Sequence, residues 1–222
     1  MKNIIFVAPP AAGKGTQSQM ISERYNIPHI STGSILRNEI ASNSELGYKI
    51  QQEIELGNLV NDTLIIELLL KRLQNNDCIN GYILDGFPRT INQAILYDKI
   101  LEESESQIDY VFYLKLPMEE AFKRIVGRLT CSSCQAVYNY MYDSTKPKVE
   151  GHCDKCNGLL VKRDDDTIEV FEKRFQVYSN ETVPLIDYYK KQNKLYEIDS
   201  SISKEYTFEQ IISILDNGDK ND

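Results

Sequence analysis

Three sets of side chains in this chain have types and spacings that imply chemistry. The first is Ala8-Pro9-Pro10-Ala11-Ala12-Gly13-Lys14-Gly15-Thr16, which follows the apolar run Ile4-Ile5-Phe6-Val7 and precedes the helix-compatible Gln17-Ser18-Gln19-Met20. A loop of small residues between strand and helix aims backbone N–H groups and a helix N-terminus at a phosphate, and Lys14 adds a point charge for the outer phosphates. The strict pattern G-x-x-x-x-G-K-[ST] has glycine where Ala8 stands, and here Gly15 precedes the hydroxyl residue. The second set is Cys131-x-x-Cys134 and Cys153-x-x-Cys156, separated by 18 residues, a four-cysteine zinc spacing. Four thiolates close a tetrahedron, so the metal would be structural. His152 stands beside Cys153 as a substitute ligand, and Cys78 reads as a buried small hydrophobe. The third set is the arginines: only 8 of the 25 basic residues are arginine, and a planar guanidinium matches phosphate bidentately where an ammonium cannot.

Each set has a plainer reading. The loop would otherwise be a tight turn with a surface lysine, the cysteines a disulfide framework, the arginines solvated helix faces. A disulfide framework requires an oxidising compartment. The opening MKNIIFVAPP has a four-residue apolar run, too short for a signal peptide or a membrane span, and the expected location is cytoplasmic, with no membrane partner. The formal net charge of −8, from 25 basic and 33 acidic residues, disfavours a nucleic-acid partner, because an acidic surface repels the phosphate backbone.

These side chains need a scaffold. With 41% apolar and 26% charged residues over 222 positions, the chain is expected to form one main core. Short apolar runs at residues 4–7, 82–84, 110–114 and 195–198, with a further one at 27–30, alternate with helical spacing, which predicts an α/β fold on a five-stranded parallel sheet. Asn61 and Pro117 mark helix starts, and Asp164-Asp165-Asp166 suits the N-terminus of a helix carrying Ile168, Phe171, Phe175 and Tyr178. Arg124 and Arg128 are predicted on one helix, four apart and sharing a face. Two stretches interrupt the alternation, residues 31–60 and 127–166, and read as insertions into a core of residues 1–30, 61–126 and 167–222. The tail from Asn217 is expected to fray.

Gly13-Lys14-Gly15-Thr16-Gln17, Ser31-Thr32-Gly33, Asp85-Gly86-Phe87-Pro88-Arg89 and the cysteine quartet occur in one order along nearly the whole chain. In these the chain resembles the adenylate kinases of the nucleoside monophosphate kinase family, in the long bacterial form with a zinc-binding lid. The resemblance implies a P-loop kinase core, a helical monophosphate-binding insertion at 31–60 and a lid at 127–166 held by structural Zn2+ on Cys131, Cys134, Cys153 and Cys156. It implies the reaction MgATP + AMP ⇌ 2 ADP, serving adenine nucleotide balance, in a monomer. By resemblance Lys14, Arg89, Arg124, Arg128, Arg163, Arg174 and Asp85 are catalytic, Asp85 holding Mg2+. ATP would meet Ala11, Ala12, Gly13, Lys14, Gly15, Thr16, Arg128, Val137, Tyr138 and Ile202. AMP would meet Thr32, Arg37, Asn58, Leu59, Val60, Gly86, Phe87, Pro88, Arg89, Gln93, Arg163 and Arg174. Arg24 and Arg72 are left as surface residues. The family usually has glycine at Ala8 and Ala11 and aspartate at Ser34. Three rivals stay open: a kinase for another base pair such as GTP:AMP or UMP/CMP, a zinc-ribbon nucleic-acid binder, and a nucleotide-binding pseudo-enzyme suggested by Ala8 and Ala11.

Overall fold

The computed structural model describes residues 2–56 and 58–218. Five parallel strands, β1 (Lys2–Val7), β2 (His29–Ser31), β3 (Gly81–Asp85), β4 (Tyr110–Lys115) and β8 (Leu195–Asp199), lie in the order β2-β3-β1-β4-β8. The central strand is buried on both faces, so its apolar run does not alternate with polar residues. Ile5 and Val7 enter one core cluster with Leu84, Phe87 and Tyr97, while Ile4 and Phe6 enter the other with Ile83, Phe112 and Phe171. The strand expected at 27–30 begins at His29 and ends at Ser31, with the Pro28 carbonyl accepting from the Ile83 N–H ahead of it.

Helices α1 (Lys14–Tyr25), α4 (Asp62–Leu73), α5 (Ile91–Glu103), α6 (Met118–Val126), α7 (Ile168–Val177), α8 (Pro184–Lys190) and α9 (Lys204–Asn217) belong to the core stretches. The 31–60 stretch folds as α2 (Thr32–Ala41) and α3 (Glu45–Glu55); Gly57 lies outside the described residues. The 127–166 stretch forms an antiparallel sheet of β5 (Arg128–Cys131), β6 (Val137–Asn139) and β7 (Leu160–Val161), in the order β6-β5-β7. Asn61 caps α4 through its side chain, which accepts from the Thr63 and Leu64 N–H groups. Pro117 sits one position before α6 rather than inside it.

Two expectations change. Arg128 does not share a helix with Arg124: α6 ends at Val126, and Arg128 begins β5. The chain turns at Gly127, where a Cβ would stand 2.1 Å from the Asn139 side-chain oxygen. The acidic triplet does not cap α7. Thr167 does, accepting from Val170 N–H, while Asp165 and Asp166 pair with Arg174 and Arg128. The expectation of a frayed tail falls mostly on residues 219–222, which lie outside the described residues; α9 ends at Asn217, which donates to the Ser213 carbonyl.

Candidate active site

The parallel sheet directs its C-terminal edge at the loop after β1, and register places Asp85 beside Phe6 on one side and Ser31 on the other. Gly13 adopts φ 89° to turn the loop into α1, whose first residue is Lys14. Ala11 also stands in the left-handed region, at φ 60°, a conformation that costs an alanine roughly 1–2 kcal/mol. Ala8 is not so constrained: its methyl is buried in the core cluster with Ile4 and Phe6. Lys14 Nζ lies 3.5 Å from the Ala8 carbonyl oxygen and 3.4 Å from that of Pro9. Its ammonium is pushed down to about 8, first by burial, then by the charges of Arg89, Arg128 and Arg174, against the pull of Asp85.

Asp85 meets His29 Nε2 at 3.3 Å. Burial raises its carboxyl, but the His29 hydrogen bond and the charges of Lys14 and Arg89 outweigh that and hold it below the ordinary carboxylate value. Thr32, buried at the start of α2, donates to the Gly86 carbonyl at 2.9 Å. Gly86, at φ 86°, has no room for a side chain, because a Cβ would stand 2.8 Å from that threonine oxygen. Arg89 Nε donates to the Gly86 carbonyl at 2.9 Å, and Thr182, in a π-helical turn between α7 and α8, donates to the Arg89 carbonyl at 2.8 Å. Phe87 is fully buried, edge-on to Tyr97, and Pro88 is buried beside it, so these two offer a ligand their backbone rather than side chains. Gln93 is buried, and its amide joins the Arg89 N–H to Asp62. Asn58 donates to Glu53, and Leu59 and Val60 beside it are half-buried.

From the other side come the arginines of the 127–166 stretch and of α7. Arg128 grips Asp166 with both arms of its fork, and that carboxylate is 0% exposed. Arg174 pairs with Asp165. Arg163 donates from Nε to Thr130 Oγ1 at 3.2 Å and is pushed down to about 10 by burial and by the charges of Arg128 and Arg37. Arg37 donates to Ser34 Oγ and feels Asp165, Arg128, Arg174 and Asp85. Lys14, Arg37, Arg89, Arg128, Arg163 and Arg174 thus form one cationic group around Asp85 and Asp165. Arg124 is held differently: it pairs with Glu120 and donates to the Ser200 and Ser201 carbonyls, next to Ile202, which is 64% exposed. Sequence spacing showed neither His29 nor Asp165 nor Asp166 in these roles; the only hint for the aspartates was their unusual run of three.

The four cysteine sulfurs lie within 4.8 Å of one another, with Cys131 to Cys156 and Cys134 to Cys153 at 3.5 Å. Zn–S bonds of 2.3 Å in a tetrahedron require about 3.8 Å between sulfurs, so the quartet fits zinc. Each knuckle turns on a left-handed residue after its second cysteine, Gln135 at φ 61° and Asn157 at φ 59°. The Cys134 N–H favours the thiolate of Cys131, and the Tyr138 hydroxyl favours that of Cys153, which falls to about 6. His152 turns its Nδ1 to the Glu150 carbonyl and is no member of the quartet. Tyr138 was expected beside the ATP base or ribose. Its side chain instead faces the sulfurs, 3.5 Å from Cys153, and accepts from the Asp154 N–H at 2.8 Å. Its neighbour Val137 faces outward, 48% exposed, as alternation along β6 requires. Cys78 is buried, Arg72 pairs with Asp77 and Arg24 with Asp216, all away from this site.

A family model described as adenylate kinase matches residues 6–194. An adenylate kinase of Archaeoglobus fulgidus is 46% identical over 214 residues, covering 96% of this chain and 98% of that protein. Those of Thermosipho africanus and Clostridium tetani are 43% and 45% identical over 213 residues, each covering 96% of this chain and 99% and 98% of the respective protein. No helix among the described residues is long and apolar enough to cross a membrane.

Proposed function

This chain belongs to the adenylate kinase family, and from that membership we propose that it catalyses MgATP + AMP ⇌ 2 ADP. The observation that carries the reading is the convergence of Lys14 with Arg37, Arg89, Arg128, Arg163 and Arg174 from separate stretches of chain onto the C-terminal edge of the sheet. Phosphoryl transfer needs little covalent help from protein; it needs reactants in line and positive charge around the moving group. An AMP phosphate oxygen attacks the γ-phosphorus as the bond to the β-phosphate bridging oxygen breaks, and ADP departs.

In this reading Ala11 to Thr16 cradle the ATP phosphates, and Arg37 and Arg89 hold the AMP phosphate. Arg128, Arg163 and Arg174 neutralise the charge that spreads over the transferred group. Arg124 acts through the Ser200–Ser201 carbonyls beside Ile202, where the ATP base would lie, with Val137 covering it from the lid. Magnesium, which enters with ATP, supplies charge neutralisation between the phosphates, and Asp85 would hold it, commonly through water. Cys131, Cys134, Cys153 and Cys156 would hold zinc, which would supply a structural cross-link. Residues 31–60 would close over AMP and 127–166 over ATP, excluding the water that competes as acceptor. Those two moving segments need free surface, which favours a monomer, and the free thiols suit the cytoplasm.

An initial-rate survey with purified protein tests the assignment. ATP with AMP is expected to outrun every other donor and acceptor pair. A faster rate with UMP or CMP, a preference for GTP as donor, or no ADP formed with any pair would overturn it.

A further inference from the structure

We infer that Asp62 is a positioning residue that fixes the amide of Gln93 in one orientation and thereby sets the choice of adenine over hypoxanthine in the monophosphate site. The inference rests on the reading that Gln93 meets the AMP base.

The geometry is a chain of three groups. The Arg89 N–H donates to Gln93 Oε1 at 2.7 Å, and Gln93 Nε2 donates to Asp62 Oδ1 at 2.7 Å. Gln93 is 3% exposed, while Asp62 and Arg89 are half-buried, so the amide itself relies on these protein partners. A backbone N–H can only donate and a carboxylate can only accept. Turning the amide over would set its NH2 against the Arg89 N–H and its oxygen against the Asp62 carboxylate, so that both ends of a buried amide would face a like group. Gln93 is also the third residue of α5 behind the capping Thr90. A glutamine there commonly reaches back to the cap residue's own N–H; here it reaches one residue further, into the Asp85–Arg89 segment.

Orientation matters because of what the amide has left. Each amide oxygen has two lone pairs and each NH2 two hydrogens, so one of each remains for a base. Adenine presents a donor at its exocyclic N6 beside an acceptor ring nitrogen. Hypoxanthine reverses both on the same edge, with O6 accepting and N1–H donating. A glutamine free to turn over would serve either base; one held by Arg89 and Asp62 serves adenine. Asp62 begins α4, where a carboxylate also suits the helix dipole, but that contribution to folding carries no information about the base.

The test is kcat/KM for AMP and for IMP, with ATP as donor, in the full-length zinc-loaded protein and in Asp62→Asn, Asp62→Leu and Gln93→Leu. The AMP:IMP ratio is measured on one preparation, so partial unfolding cancels. Asp62→Asn, whose amide accommodates either orientation of Gln93, is expected to lower the ratio at least about fivefold, and Asp62→Leu further. Should both Asp62 variants keep the ratio while Gln93→Leu lowers kcat/KM for AMP, the base reading stands and the orienting role of Asp62 is wrong. If Gln93→Leu leaves AMP unaffected, Gln93 does not meet the base and both fall.

Discussion

At the scale of single residues, Lys14 is the group whose chemistry the surroundings change most usefully. Folding moves its ammonium from 10.5 down to about 8, so the native protein binds fewer protons than the unfolded chain between those values. Stability contributed through this group therefore rises with pH across that window. Phosphate oxygens at Nζ act in the opposite sense, favouring the charged form. Nucleotide binding near pH 8.5 is thus expected to take up a proton, roughly one-half to three-quarters per site, and affinity is expected to fall as pH climbs above 8. Calorimetry in two buffers of different ionisation heat reads the uptake directly; none in the native protein, or the same uptake in Lys14→Met, would contradict it. Lys14 was legible from its loop because the motif is local. His29 was not, since its pairing with Asp85 joins residues that only the β2–β3 register brings together.

At the scale of elements, the phosphate loop and the lid each carry a local cost. Ala11 holds φ 60°, where glycine has no steric penalty, and Ala11→Gly is expected to stabilise the protein by up to about 1 kcal/mol after the extra unfolded-state entropy is counted. Urea unfolding checks this; a destabilised variant would show that the methyl packs usefully. The lid has an apolar cluster of only Cys131, Tyr138 and Cys153, with Leu129, Ala136 and Leu160 against it, too little to hold a sheet of nine residues without a cross-link. Removing the metal with a strong chelator is expected to lower the melting temperature by several degrees, because zinc-binding free energy is partly folding free energy. An identical melt before and after removal, with zinc shown by atomic absorption to have left, would rule that out.

At the scale of the whole molecule, residues 31–60 and 127–166 face each other across the site. After burial, the charge of Arg128 helps to lower the guanidinium of Arg37, and the charges of Arg128 and Arg37 help to lower that of Arg163. Without phosphates this arrangement concentrates like charge, which Asp85, Asp165 and Asp166 offset only in part; with two nucleotides bound the balance reverses. A dinucleoside pentaphosphate is therefore expected to reduce the radius of gyration relative to free protein by on the order of 1 Å, and to raise the melting temperature by mass action. X-ray scattering that gave the same radius in both states would mean that the like charges do not open the site.

What the order of residues settled alone was whatever depends on near neighbours. Short apolar runs gave the strands, small residues before Lys14 the loop ahead of α1, paired Cys-x-x-Cys the cysteine quartet, and Asp85-Gly86-Phe87-Pro88-Arg89 the family. Tertiary structure decided the partners of charged and polar side chains. It moved Arg128 off a helix and onto Asp166, set the Tyr138 side chain against the cysteine sulfurs, buried Phe87, and joined Gln93 to Asp62. The reason is physical: a helix or turn is dictated by bonds spanning a few residues, whereas a buried hydrogen bond is satisfied by whichever group the packing of distant segments brings within reach.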